Sequence, residues 1–255
     1  MDELIRLDQQ LLLALNGSDS QWLDNCFLMI TQTGTWIPLI LVLLYVLLKN
    51  RPWREVLLFV ACLALVIFVA DRFSSGFCKP FFHRFRPSHE PALEGLVDLV
   101  GDRRGGLYGF ISSHAANTFG AWAFVSLYFR RRLVSLTVLL WACCSSYSRI
   151  YLGLHYPGDI LFGALWGLTS GVGCYFLMCL VARQSPFVRT LTGYRPNPYG
   201  LSPEPLRVPV PTLKGSTNTL LGRRCNPDGF GHRDEVLLAI TLLLTLLFVG
   251  LYALL

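Results

Sequence analysis

Charged residues are scarce in this sequence, and long apolar segments take their place. Only 15% of the 255 residues are Asp, Glu, Lys or Arg, whereas 53% are apolar. Soluble domains typically contain about 25% charged residues, and a soluble domain of this size could not bury so many long apolar runs in one core. The composition therefore excludes an ordinary soluble protein and predicts a membrane protein with several spans.

Signals for several other classes of protein are also missing. The eight cysteines form neither a CxxC pair nor the Cys/His spacing of a zinc site. The net charge of +6 is not accompanied by a nucleic-acid-binding motif. The chain starts with Asp2 and Glu3 instead of the basic segment of a signal peptide, so the first span is expected to serve as the insertion signal. The sequence thus predicts no metal, no cofactor and no nucleic-acid partner, and it indicates no particular protein partner.

The lengths of the apolar segments predict an all-α helix bundle that crosses the membrane about six times. The N-terminal segment 1–20 is too short and too polar to span, and it predicts an amphipathic helix at the membrane interface. A membrane domain at 21–183, a flexible basic linker at 184–233 and a C-terminal transmembrane helix at 234–255 complete the expected organisation. The expected spans are residues 25–48, 55–76, 112–129, 133–150, 157–181 and 235–255.

Arginine and lysine residues are concentrated in three of the connections between spans, at 49–54, 130–132 and 183–233. Cytoplasmic loops carry an excess of these residues, so the three connections are expected in the cytoplasm. Loop 77–111 and the turn 149–156 then face the periplasm or exterior. This pattern predicts an integral protein of the inner membrane with its polar sequence motifs on the outer side.

The first of these motifs contains Lys79 and Arg86, which lie seven residues apart just after the second span, with Pro87 following. Arginine binds phosphate oxygens with a bidentate fork, and lysine binds them as a point charge. The spacing therefore indicates a phosphate-binding pocket near the membrane surface. The alternative is that both side chains only extend from a span end to reach water.

The second motif, Ser112-Ser113-His114, opens the third predicted span. The unpaired N–H groups of a helix start attract anions, and either serine can cap the helix or donate a hydrogen bond to a phosphate oxygen. His114 would enter the helix close to such an anion.

The third motif contains Arg149, His155 and Asp159 around a tight turn. If the fifth helix includes residue 159, Asp159 follows His155 by about one turn and accepts the proton of Nδ1. Nε2 is then left as a nucleophile or base. The alternative is a purely structural His–Asp hydrogen bond. All three motifs are expected on one side of the membrane, which favours a single site for phosphate chemistry.

Together the motifs resemble those of the type 2 phosphatidic acid phosphatase superfamily, KxxxxxxRP, PSGH and SRxxxxxHxxxD. Residues 79–87 and 148–159 match the first and third in full, and the resemblance covers roughly 55–182. The second differs, because Ile111-Ser112-Ser113-His114 stands where the family usually has Pro-Ser-Gly-His. Ser112 and His114 keep their places, and Ser113 replaces the glycine. Its side chain is expected either to crowd the phosphate or to add a donor to it.

The resemblance implies a metal-independent lipid phosphatase. His155 would attack phosphorus and form a phosphohistidine, Asp159 would orient His155, and His114 would protonate the leaving oxygen. The implied phosphate ligands are Lys79, Arg86, Ser112 and Arg149, with Ser113 as an added candidate.

The expected substrate is a phosphorylated membrane lipid, because the motifs lie where a headgroup would be while the tails stay in the bilayer. Phosphatidic acid, phosphatidylglycerol phosphate, undecaprenyl diphosphate and lipid A are the candidates, and the last two are favoured because both present phosphate on the outer face. A lipid phosphotransferase would use the same residues. A lipid- or anion-binding transporter would need broken helices or a polar path at mid-membrane, and the apolar centres of the spans argue against it.

Overall fold

The computed structural model describes residues 2–184 and 231–254 of the chain. In these residues the fold is helical, which confirms the all-α prediction, while most of the predicted linker 184–233 lies outside the described residues. The helices are α1 Asp2–Leu15, α2 Gln21–Ile30, α3 Ile37–Asn50, α4 Trp53–Asp71, α5 Lys79–Phe82, α6 Ser113–Phe129, α7 Arg132–Tyr151, α8 Pro157–Gln184 and α9 His232–Tyr252.

Five helical segments of the described chain are long and apolar enough to cross a membrane. They are Thr33–Asn50, Trp53–Phe82, Arg132–Tyr151, Pro157–Val181 and His232–Tyr252. Helix α6, the third predicted span, has 17 residues and is not among them. It lies between α4, α7 and α8, and many of its residues are small and buried. The polytopic membrane bundle is therefore confirmed.

Helices α6 and α8 pack closely because α8 carries glycine at every fourth position. A β-carbon at Gly163 would lie 2.5 Å from the backbone oxygen of Ser112, and one at Gly167 would overlap the backbone oxygen of Ala116. Small residues at this spacing allow two membrane helices to approach backbone to backbone. The packing brings the start of α6 and the start of α8 together, which places the second and third motifs side by side.

The two ends of the bundle differ in their charged groups. At one end, Lys49 Nζ lies 2.8 Å from Asp234 Oδ1, and Arg131 Nη1 lies 3.6 Å from Glu235 Oε1. At the other end, the Asn16 side chain after α1 donates to the carbonyl of Tyr151 at 2.7 Å, beside the turn that carries the third motif. Lys49 and Arg131, from the basic connections at 49–54 and 130–132, therefore lie at the opposite end of the bundle from the three motifs.

The first predicted span, 25–48, is interrupted in the structure. Helix α2 ends at Ile30, a 3₁₀ turn covers Thr33–Trp36, and α3 then begins. The side chains of Thr35 and Trp36 donate to the carbonyls of Met29 and Ile30 at 2.6 and 2.9 Å. These hydrogen bonds satisfy carbonyl groups that the break leaves without helical partners. The apolar sequence of the span does not indicate such a break.

The second predicted span, 55–76, is too short at its C-terminal end. A π-helical turn, Arg72–Cys78, joins α4 to α5, so the helix continues to Phe82 and ends where His83 adopts a left-handed φ of 50°. The loop predicted to start at residue 77 therefore starts at His83. Lys79 lies within the helix, and π turns of this kind are frequent at functional sites.

Candidate active site

His155 and Asp159 form a buried pair at the start of α8. This helix begins at Pro157, so Asp159 lies in its first turn, as predicted. Asp159 Oδ2 is 3.3 Å from His155 Nδ1 and also accepts the backbone N–H of Tyr156 at 3.2 Å. The side chains of His155 and Asp159 are 2% and 0% exposed. The two side chains thus lie one helical turn apart and in contact, and the carboxylate is held by the backbone of the same turn.

The other ring nitrogen of His155 faces Arg86. The distance from Arg86 Nη1 to His155 Nε2 is 3.0 Å, and the same guanidinium donates to the carbonyls of Leu154 and Tyr108 at 3.1 and 3.2 Å. Because a guanidinium has donors and no acceptor, Nε2 must accept this bond. The ring proton therefore lies on Nδ1, toward Asp159, and Nε2 carries the lone pair, which accepts the bond from Arg86.

A short pairing of two loop segments places Arg86 at this position. Phe85 and Tyr108 form an isolated antiparallel bridge, and the backbone N–H of Gly109 donates to the carbonyl of Arg84 at 2.9 Å. A β-carbon at Gly109 would lie 3.1 Å from Arg86 Cγ and 3.2 Å from Asp159 Oδ2. The absence of a side chain at Gly109 thus lets the loop lie directly against the His–Asp pair.

Ser113, the residue that departs from the family motif, contacts Lys79. Lys79 Nζ donates to Ser113 Oγ at 2.8 Å and to Ser75 Oγ at 3.1 Å, and the two serine hydroxyls lie 2.8 Å apart. Ser75 also donates to Asp71 at 3.3 Å. The hydroxyl of Ser113 thus accepts a hydrogen bond from the lysine, a contact that the sequence did not indicate.

Replacing Ser113 with glycine, the residue that the family usually has at this position, is expected to raise KM about fivefold with little change in kcat. Lys79 would lose one of its two serine acceptors, and a single hydrogen bond contributes about 1 kcal/mol. Steady-state kinetics on the purified enzyme measure both constants. Ser113→Ala, which removes only the hydroxyl, is the control and should give the same KM. An unchanged KM in both variants would mean that the Ser113 hydroxyl does not help to hold Lys79 for substrate.

Ser112 and His114 lie at the start of α6. Ser112 is fully buried, and its hydroxyl accepts the N–H of Ala115 at 3.5 Å in the position of an N-cap. Its own N–H donates to the carbonyl of Asp159 at 3.0 Å, which ties α6 to α8. His114 follows in the first turn, and no residue in the described parts of the chain forms a hydrogen bond with its ring. The ring is free to meet a ligand.

Arg149 lies in the last turn of α7 and reaches the break in the first span. Its Nη1 donates to Thr31 Oγ1 at 2.6 Å. Its Nε is buried and has no partner among the described residues. The carbonyl of Arg149 accepts the backbone N–H of His155 at 3.2 Å, so Arg149 is also fixed to the turn that carries His155. A buried donor without a partner is a candidate for binding a ligand.

Arg84 and Asp8 extend the His–Asp pair, although the sequence analysis selected neither. Arg84 Nη1 lies 2.9 Å from Asp159 Oδ1, and Arg84 Nη2 lies 2.6 Å from Asp8 Oδ2. Arg84 occupies a variable position of the first motif, and Asp8 lies in a helix that was predicted only to rest on the membrane. Asp8 precedes Leu12 by four residues, but only the structure shows that Leu12 is the buried position that turns this face of α1 toward the site.

Positive charge dominates the site around His155. No carboxylate in the described residues forms a salt bridge with Lys79, Arg86 or Arg149. Burial lowers the pKa of the His155 imidazole well below its ordinary value, and these cations lower it further. His155 is therefore neutral at pH 7, and the three cations form a site for a multiply charged anion beside its lone pair.

The donor set does not favour a metal. Among residues 2–184 and 231–254, no group of three or more His, Cys, Asp or Glu side chains lies close enough together to hold a metal ion. Of the predicted phosphate ligands, Arg86 contacts Nε2 of His155, and Lys79 and Arg149 lie near enough to lower the pKa of its imidazole.

Comparison with known proteins agrees with this arrangement. Residues 55–183 match the PAP2 superfamily. The chain is 44% identical over 172 residues to the lipid A 4'-phosphatase of Bacteroides thetaiotaomicron, covering 67% of this chain and 76% of that protein. It is 37% identical over 171 residues to the lipid A 4'-phosphatase of Porphyromonas gingivalis, covering 67% and 72%. No solved structure matches it. The expected family is confirmed: the chain belongs to the PAP2 superfamily and is a membrane-embedded lipid phosphatase.

Proposed function

We propose that the enzyme removes the 4'-phosphate of lipid A through a phosphohistidine on His155, without a metal ion. The observation that carries the chemistry is the lone pair of His155 Nε2, which lies among cations that have no carboxylate partner. The choice of lipid rests on the two relatives named lipid A 4'-phosphatase, which cover two thirds of the chain. Among the candidate lipids, this evidence favours lipid A over undecaprenyl diphosphate.

In the first step, Nε2 of His155 attacks phosphorus, the N–P bond forms and the bond from phosphorus to the sugar oxygen breaks. His114, in its protonated form beside the anionic phosphate, gives its proton to that oxygen, which leaves as an alcohol. The imidazole ring becomes positively charged, and Asp159 stabilises it through the proton on Nδ1. Arg86 must first release Nε2, and its Nη1 is then available to the phosphoryl oxygens.

In the second step, water attacks the phosphohistidine and the N–P bond breaks. His114, which gave up its proton in the first step, accepts one from this water, so inorganic phosphate leaves and both histidines return to their starting forms. Charge spread over the phosphoryl oxygens is the main feature that such a site must stabilise. Lys79, Arg86 and Arg149 supply that stabilisation in our proposal, with Ser112 as a neutral donor and Ser113 acting through Lys79.

We further propose that the protein lies in the inner membrane with this site toward the periplasm. The basic connections lie at the opposite end of the bundle, where the positive-inside rule places the cytoplasm. In this arrangement, segment 1–20 lies at the outer interface, 21–183 forms the catalytic membrane domain, and 184–233 is a cytoplasmic linker that leads to the last helix at 234–255. Lipid A on the outer face could then present its phosphate while its acyl chains stay in the bilayer.

Phosphate release by the detergent-purified enzyme from a panel of lipids, with EDTA present, tests this proposal. The panel contains lipid A, undecaprenyl diphosphate, phosphatidylglycerol phosphate and phosphatidic acid. We expect the highest kcat/KM on lipid A, with mass spectrometry locating the loss at the 4' position and one free phosphate formed per lipid. A higher kcat/KM on another lipid would refute the substrate, and loss of activity with EDTA would refute the metal-free mechanism. Dephosphorylated lipid without free phosphate would identify a phosphotransferase.

A further inference from the structure

The N-terminal helix touches the catalytic turn through a carboxylate that lies outside the three motifs. One oxygen of Asp8 lies 2.6 Å from Arg84 Nη2, and the other accepts the backbone N–H of Gly158 at 2.8 Å. A β-carbon at Gly158 would lie 2.7 Å from the Asp8 carboxylate, so the glycine makes room for it. Asp8 is thus bound both to the arginine behind Asp159 and to the first turn of α8.

Helix α1 is held in this position by contacts of its own. Leu12 is fully buried and packs in a small apolar cluster with Leu93, Ile150 and Tyr156. At the end of the helix, Asn16 donates to the carbonyl of Tyr151 and accepts the backbone N–H of Asp98, both at 2.7 Å. The packing of Leu12 orients Asp8 toward the site, whereas the Asn16 bonds fix only the end of the helix. Other leucines of α1 stay exposed.

Arg84 divides its charge between two carboxylates. Its guanidinium contacts Asp159 Oδ1 and Asp8 Oδ2, and it also lies over the ring of Tyr156, with its central carbon 4.1 Å from the ring centroid. Asp159 uses its other oxygen, Oδ2, for His155. His155, Asp159, Arg84 and Asp8 therefore form a row in which carboxylates and positive groups alternate. Arg84 is a cation, and the His155 ring becomes one during the reaction.

We propose that Asp8 and Arg84 are positioning residues for the His155–Asp159 pair, which makes the N-terminal helix part of the catalytic machinery as well as a segment at the membrane interface. The proposal rests on the function given above, in which His155 is the nucleophile. Arg84 fixes Oδ1 of Asp159 so that Oδ2 faces the ring. Asp8 balances the positive charge of Arg84. The negative charge of Asp159 is then not offset by Arg84 and can stabilise the imidazolium that forms during attack.

Asp8→Asn is the primary test, because asparagine has nearly the same shape and lacks the charge. We expect kcat to fall about tenfold, the effect of losing a coupled interaction next to the reacting group, while KM stays within about twofold of wild type. Asp8→Glu should recover part of the loss. In an Arg84→Gln background, adding Asp8→Asn should reduce kcat by much less than tenfold, because Asp8 acts through Arg84.

Asn16→Ala is the matched control, since it loosens the same helix at its other end and leaves the charged row untouched. It should lower the melting temperature at least as much as Asp8→Asn and leave kcat near the wild-type value. Equal losses of kcat in the two variants, in proportion to their melting temperatures, would mean that Asp8 only docks the helix. A rise in KM with kcat unchanged in Asp8→Asn would also overturn the proposal.

A second readout needs no turnover and so separates this proposal from the choice of substrate. In protein labelled with ¹⁵N at histidine, the Nδ1–H resonance of His155 reports the contact with Asp159 directly. We expect Asp8→Asn to shift this resonance and Asn16→Ala to leave it in place. An unchanged resonance in Asp8→Asn would refute the positioning role even if the enzyme hydrolyses lipid A. A shifted resonance would support it even if another lipid proves to be the substrate.

Discussion

Replacing His155 with alanine is expected to reduce phosphate release to the background rate while the helix bundle stays folded. In our account Nε2 of His155 forms the bond to phosphorus, and no nearby group can replace it as a nucleophile with the same support from Asp159. When several catalytic residues act together, removal of the nucleophile lowers kcat by a factor on the order of a million. The rate of phosphate release from lipid in detergent, with EDTA present, measures the loss.

His83→Asn provides the matched control for this variant. His83 is an exposed histidine at the start of the loop that carries Arg84 and Arg86, and asparagine tolerates its left-handed backbone conformation. It should retain wild-type activity. Size-exclusion chromatography and thermal melting establish that His155→Ala is folded. A folded His155→Ala enzyme that keeps more than a small fraction of the wild-type rate would show that His155 is not the nucleophile.

Replacing Asp159 with asparagine is expected to slow the reaction by about 10⁴-fold, as the corresponding change does in a Ser-His-Asp triad. The amide can no longer favour the proton on Nδ1, and it leaves the charge that develops on the ring without a carboxylate. It also ends the ion pair with Arg84 at 2.9 Å. Because the cations that bind phosphate are unchanged, the effect should fall on kcat and leave KM near its wild-type value.

Kinetic constants of Asp159→Asn, measured beside Asp102→Asn, test this expectation. Asp102 is exposed in the loop before α6, and its left-handed conformation accepts asparagine readily, so this control should be fully active. If Asp159→Asn raised KM and preserved kcat, the carboxylate would serve binding or structure, which is the alternative that the sequence alone left open.

The helices could largely be predicted from the sequence because their apolar lengths match the thickness of a bilayer. The exceptions are positions where polar groups change the backbone. The first span breaks where side chains of Thr35 and Trp36 bind backbone carbonyls. The second continues through a π turn to Phe82. Neither feature changes the apolar pattern enough to be predicted from it.

The motif residues of the site were also accessible from the sequence, because each motif has a fixed spacing and lies at a span end. The contacts between distant parts of the chain were not. Asp8 and Arg84 are separated by 76 residues, and no local pattern relates a residue of an amphipathic helix to a variable position in a loop. The contact of Ser113 with Lys79 likewise depends on how α6 packs beside the extended helix that carries the lysine.

The stereochemical course at phosphorus tests the central claim most directly. A substrate lipid with a chiral, isotopically labelled thiophosphoryl group is hydrolysed by the wild-type enzyme, and the configuration of the released thiophosphate is determined. Attack by His155 followed by attack of water comprises two in-line displacements, so our account predicts net retention of configuration. Net inversion would mean that water attacks the lipid phosphate in a single step, and it would contradict the phosphohistidine on His155.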